Sequence, residues 1–180
     1  MNANPADLFV QDIRIQARKL KELADKAMAQ VHDEDLTVVL DPESNSIAMI
    51  VQHLAGNLRS RWTDFLTSDG EKPDRHRDAE FEAHEGTNRS GLLAAWDQGW
   101  GRLFSTLDGL TAEDLGKTVH IRSEPHSVVQ AVNRGLTHAA YHVGQIVLLA
   151  KHFASADWKT LSIPRKQSQQ FNEAMRRRES

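Results

Sequence analysis

The sequence contains no cysteine. That absence removes disulfides, thiolate metal ligands and a cysteine nucleophile, so any metal site must be built from nitrogen and oxygen. No run approaches the roughly 20 apolar residues that a bilayer-spanning helix requires. The start, MNANPADLFVQDI, has neither a basic segment nor an apolar signal core, and the expectation is a cytoplasmic protein that does not enter a membrane. An excess of positive charge is also missing. Lysine and arginine total 22 against 25 acids, which leaves no broad positive field to neutralise a phosphate backbone and argues against nucleic acid as the main partner. There is no G-x-S-x-G elbow, no glycine-rich phosphate loop and no H-E-x-x-H. Serine-hydrolase, nucleotide-binding and ordinary zinc-protease readings therefore have no motif. Internal repeats and low-complexity stretches are absent as well.

What remains is an ordinary ordered composition, with 39% hydrophobic and 26% charged residues over 180 positions, and it predicts one domain spanning residues 1–180. Apolar residues recur every three or four positions from Leu8 to Val31, which predicts a first amphipathic helix. Thr37 to Leu40 reads as briefly extended. Asp41 followed by Pro42 reads as a helix start, and the stripe Ile47, Ile50, Val51, Leu54, Leu58, Trp62 and Phe65 carries a second helix. Residues 68–87 form a polar excursion whose length suggests a lid. A third helix opens near Thr87 and buries Leu92, Trp96, Trp100, Leu103 and Leu107, although Gly99 and Gly101 weaken its middle. Thr111 to Asp114 reads as a capped turn, Lys117 to Arg122 as a small strand, and Pro125 to Phe153 as the last long helix. Phe171 to Arg178 completes the pattern as a short peripheral helix. Four long helices without a convincing sheet predict an all-α, four-helix bundle whose sites are built from side chains on facing helices.

One constellation on these helices carries chemistry. His138 and His142 lie four residues apart, so their rings share a face one turn apart and can grip one ion. His53, flanked by Ile50 and Leu54 midway along the second helix, is the natural third ligand. Three nitrogens leave a position free on a zinc-like ion, the arrangement of a catalytic site, although imidazole equally suits nickel, copper or iron. A single buried histidine is more often a hydrogen-bonded core residue than a ligand, so the reading depends on the three rings converging. His126 is a reserve ligand. His76 and His84 in the excursion, His120 near a boundary, and His32 and His152 near helix ends read as solvated or capping. Asn57, Arg134 and Tyr141 are candidates to orient ligands or hold a substrate anion, although each reads first as a packing or capping residue. Trp62, Trp96 and Trp100 are candidates to line a substrate pocket, but at helical spacing beside leucines they read first as core.

A histidine midway in the second helix, followed by His138, His142, Gly144 and Gln145, resembles the DinB-like superfamily of four-helix metalloproteins. The stretches VQHLAGNLRSRWTDFLTSDGEKP, QAVNRGLTHAAYHVGQIVLLAK and SIPRKQSQQFN are similar to a subgroup of unknown function, over nearly the whole chain. The resemblance implies an up-down-down-up bundle, a divalent metal, zinc or nickel, on His53, His138 and His142, and a homodimer. Characterised relatives use bacillithiol, mycothiol or glutathione. The expectation is therefore a thiol-dependent S-transferase or hydrolase acting on a small molecule. Its alternative is a non-catalytic metal-binding bundle with a stress-response or partner-binding role.

Overall fold

The structure, a computed structural model, describes residues 4–82 and 88–177. It is mostly helical, with one two-stranded sheet. The first helix, α1, spans Pro5–Met28. Asn4 caps it by accepting the Ala6 N–H, and Pro5 occupies a first-turn position where no amide is needed. Helix α2 spans Ile47–Trp62, α3 Arg89–Gly109 and α4 Val128–Ala154. Strands β1, Thr118–Ile121, and β2, Glu124–Ser127, pair antiparallel, and a short helix, α5, covers Ser168–Arg176.

Several boundaries differ from the sequence reading: α1 starts and stops three residues before the expected Leu8 to Val31, α5 starts three residues before Phe171, and others move for local reasons. Asp41 does not open α2: its carboxylate accepts the Glu43 N–H and the Ser44 hydroxyl, closing a turn on itself. Ser46 caps α2 instead, accepting the Met49 N–H at 3.2 Å. The helix then stops at Trp62, before Phe65, and Asp64 follows in a left-handed conformation with φ 50°. Helix α4 begins at Val128 and not at Pro125, because Pro125 lies in β2 opposite His120. Ser127 and Gln130 form a reciprocal capping box at its start. Residues 34–37 form a 3₁₀ turn, and Val38 to Leu40 continue without a strand. Thr87, the expected opening of α3, lies outside the described residues, and Asn88 provides the cap.

Helix α2 packs against α3 and α4, and α1 packs against those same two helices. Trp96, Trp100, Leu103 and Leu107 of α3 are buried in the shared core with Ile50, Leu54 and Leu58 of α2. The Trp96 indole N–H donates to Asp25 at 2.8 Å, so that polar edge is satisfied within the packing. Gly99 explains how α2 and α3 come so close. A Cβ there would lie 3.1 Å from the Cα and the carbonyl oxygen of Ala55, so the glycine that costs α3 helix propensity is where two backbones nearly touch. Gly101 has no such neighbour.

The excursion after α2 is anchored over its described part. Asp69 accepts the backbone N–H groups of Arg122 and Ser123 at 2.9 and 2.7 Å, filling the hairpin turn whose two residues both have positive φ. Gly70 donates its N–H to the His120 carbonyl, and Ser60 ties down both Gly70 and Lys72. A final 3₁₀ turn, residues 78–81, lies against α2. No helix among the described residues is long and apolar enough to cross a membrane.

The Gly99 contact sets a stability test. Gly99→Leu places branched carbon against the backbone of Ala55, and overpacking of this kind costs about 1–3 kcal/mol. Urea unfolding followed by circular dichroism checks it, with the same substitution at Gly101 expected to stay near wild type.

Candidate metal centre

Helix α2 delivers His53 from its buried middle, and α4 delivers His138 and His142 from successive turns. The rings come together: one ligand nitrogen from each histidine lies within 4.8 Å of the others. The Nε2 atoms of His53 and His138 are 3.3 Å apart, and the centroids of His53 and His142 are 4.9 Å apart. His53 and His142 are 4% and 3% exposed, so neither is a surface residue caught by chance.

The far nitrogens of two rings are occupied, which fixes what the near ones can do. His53 Nδ1–H donates to Glu80 Oε2 at 2.9 Å, and His142 Nδ1–H donates to Gln145 Oε1 at 2.8 Å. A neutral imidazole that donates through Nδ1 keeps its lone pair on Nε2, and the Nε2 of His142 is buried without a hydrogen-bond partner. Glu80 is itself held by Arg75 through two parallel bonds of 2.9 and 2.8 Å, the geometry in which a guanidinium grips a carboxylate most firmly. Gly56, one turn beyond His53, makes the room: a Cβ there would fall on the Glu80 carboxylate.

Electrostatics keeps the lone pairs free. Burial pushes His138 down to about 3, and the neighbouring His142, His53, Arg75 and Arg61 push the same way. Burial also lowers His142, to about 4, against the opposing hydrogen bond to Gln145 and with help from His53. Burial works against ionisation of Glu80, but its bonds from Arg75 and His53 outweigh that and leave the carboxyl below its ordinary range. Glu80 is therefore an ionised acceptor and a poor proton reservoir near neutral pH.

The cluster opens on a cavity of about 750 Å³ whose walls include Trp62, Phe81, His120, Arg134 and Tyr141. Trp62 stacks on Phe65 and reaches over Gly135 of α4, where a Cβ would lie 2.7 Å from the indole. Three imidazoles around one point, with a buried nitrogen lacking a partner, suit the nitrogen-donor needs of a divalent ion. The cluster could hold a metal ion.

The remaining histidines sit apart from it. His126 lies in β2 with its Nε2 3.5 Å from Glu124, and His120 of β1 lines the cavity without joining the cluster. His32, His76 and His152 are exposed, and His84 lies outside the described residues. Trp96 and Trp100 are core residues, whereas Trp62 is both buried and part of the cavity wall. Glu80 and Arg75 were not separable by pattern from the other charges of the excursion. A signal did exist in Gly56, a glycine inside an apolar helix one turn from a candidate ligand.

A family model described as Protein of unknown function (DUF1572) matches residues 4–167. No curated protein matches the sequence.

The support of His53 by Glu80 gives a direct test. Glu80→Gln and Gly56→Ala, the second acting only by displacing the carboxylate, should each weaken metal affinity about 10–100-fold. Competition against a chromogenic chelator measures this, and an unchanged affinity in both variants would remove Glu80 from the site.

Proposed function

We propose, for a chain that belongs to the DUF1572 family, that His53, His138 and His142 hold one divalent ion, zinc or nickel, in a metal-dependent enzyme. The observation that carries this is the convergence of three imidazoles, two of them buried and one half-buried, with the outer nitrogens of His53 and His142 already engaged by Glu80 and Gln145. The four long helices contact one another in the closed order α1, α3, α2, α4, which supports reading them as a DinB-like four-helix bundle. The reaction class we infer is thiol-dependent S-transfer or hydrolysis on a small molecule.

When bound, such an ion supplies Lewis acidity that lowers the proton affinity of a thiol or water at its open position. The chain's own residues supply the rest. Glu80 and Gln145 orient two ligand rings and make them better donors. Phe81, tilted against His53 at 4.7 Å between centroids, and Tyr141, 3.9 Å from the His142 ring, cover the cluster and limit water. Glu80 is a positioning residue, because its carboxylate is saturated by Arg75 and His53 and has no proton to exchange near neutral pH. The cavity beside the rings favours catalysis over a sealed structural site, since a closed site would need no access.

Metal content per chain tests the reading. Protein purified without chelator and offered zinc or nickel should retain one ion per chain, and His53→Ala and His142→Ala should retain almost none while keeping their helical circular dichroism. Low-molecular-weight thiols screened against electrophiles should then give turnover that both substitutions abolish. Wild-type protein free of stoichiometric metal would refute the site. Metal without turnover across the screen would favour the non-catalytic bundle.

A further inference from the structure

The two helices that carry the histidines also carry arginines in the same register. On α2, His53, Asn57 and Arg61 follow at four-residue steps; on α4, Arg134, His138 and His142 do the same. All six line the cavity. With 1.5 Å of rise per residue, Arg61 stands about 12 Å beyond His53 along its helix and Arg134 about 6 Å before His138 along its own. The cavity thus has a histidine end and an arginine end.

The arginine end carries more positive charge than its neighbours neutralise. Arg61, Arg75 and Arg122 all approach Glu71, at 3.1, 3.7 and 3.1 Å, and Arg75 also binds Glu80. Among the described residues, no hydrogen bond or ion pair engages the side chain of Arg134. Four guanidiniums therefore face two carboxylates in contact with them. Arg61 is the most telling, because its Nη1 is buried without a hydrogen-bond partner while its Nη2 is held by Glu71. A desolvated guanidinium edge left unpaired is costly, and an oxyanion would satisfy it with short, charge-assisted bonds. Burial lowers the proton affinity of Arg61, against the attraction of Glu71 and with smaller repulsions from Arg75, Arg122 and Arg134 pushing the same way.

We infer that Arg61 and Arg134 form a binding site for the anionic end, carboxylate or phosphate, of a small substrate whose reacting atom meets the histidine cluster. The inference deepens the proposed function and rests on this cavity being its substrate site. It also sets a size. The two arginines stand one to two helical turns, about 6–12 Å along the helix axes, from the histidines, so the substrate must extend from one end of the cavity to the other.

Calorimetric titration of the full chain with inorganic phosphate and with succinate, at constant ionic strength and against a chloride reference, tests the site. Chelator-stripped and zinc-loaded samples are run side by side, with zinc content measured in each. Wild-type protein should bind at least one of the two anions at one per chain, and the tighter one identifies the headgroup as phosphate or carboxylate. Arg134→Gln and Arg61→Met should each weaken that binding about tenfold or more while leaving zinc stoichiometry intact. Arg134 is exposed, so its substitution decides the question even if Arg61→Met fails to fold. Anion binding no stronger than chloride, or Arg134→Gln binding as wild type does, overturns the inference. Anion binding by a protein that takes up no zinc would leave the arginine site standing and remove the metal reading instead.

Discussion

Taking His138 and His142 out of water beside His53 makes protonation of either expensive, and that cost organises the surroundings. Charge on His138 or His142 would be poorly solvated and close to the other rings, so these two stay neutral and their lone pairs stay available. Neutral rings still need an orientation. The chain provides it with one carboxylate and one amide, each taking a proton from the side of a ring that faces away from the cluster. The ionised carboxylate in turn requires a cation, and Arg75 provides it from within the same buried layer. The excursion after α2, which brings both Glu80 and Arg75, is thereby bound to the helical core.

That excursion is short of apolar residues and holds its place through hydrogen bonds. Asp69 secures the hairpin turn, Ser60 secures the backbone at Gly70 and Lys72, and Glu80 secures the final turn against α2. The hairpin leads directly into the capping box of α4, so the segment that supports His53 and the segment that launches His138 and His142 meet at one set of contacts. Polar bonds of this kind contribute little individually, but buried and shared among several partners they specify a single arrangement.

Much of this was legible in the sequence, and the limit has a physical origin. The four long helices announce themselves through apolar spacing, because burial repeats with the helical turn. The same spacing shows that His138 and His142 share a face and that His53 lies at core depth. Boundaries were less legible. Asp41 carries a helix-start signature, yet it spends its carboxylate on its own turn, and Pro125 suits a helical first turn as well as a hairpin strand. Glu80 and Arg75 were hidden for a different reason. Their partners are distant in sequence, and one acid among many in a charged stretch has no periodicity to mark it. Arg61 lay in plain register with His53, but a reading that follows apolar stripes passes over a cation on the same face.

Gly56 shows how a missing side chain can be as specific as one that is present. The space it leaves is filled by the Glu80 carboxylate, so the identities of these two residues are not independent. A methyl group at one position pushes the carboxylate at the other aside, away from the imidazole that it supports. A substitution at either position is therefore felt at the other, and alanine at Gly56 would trade the fit of that carboxylate for a gain in the helix propensity of α2.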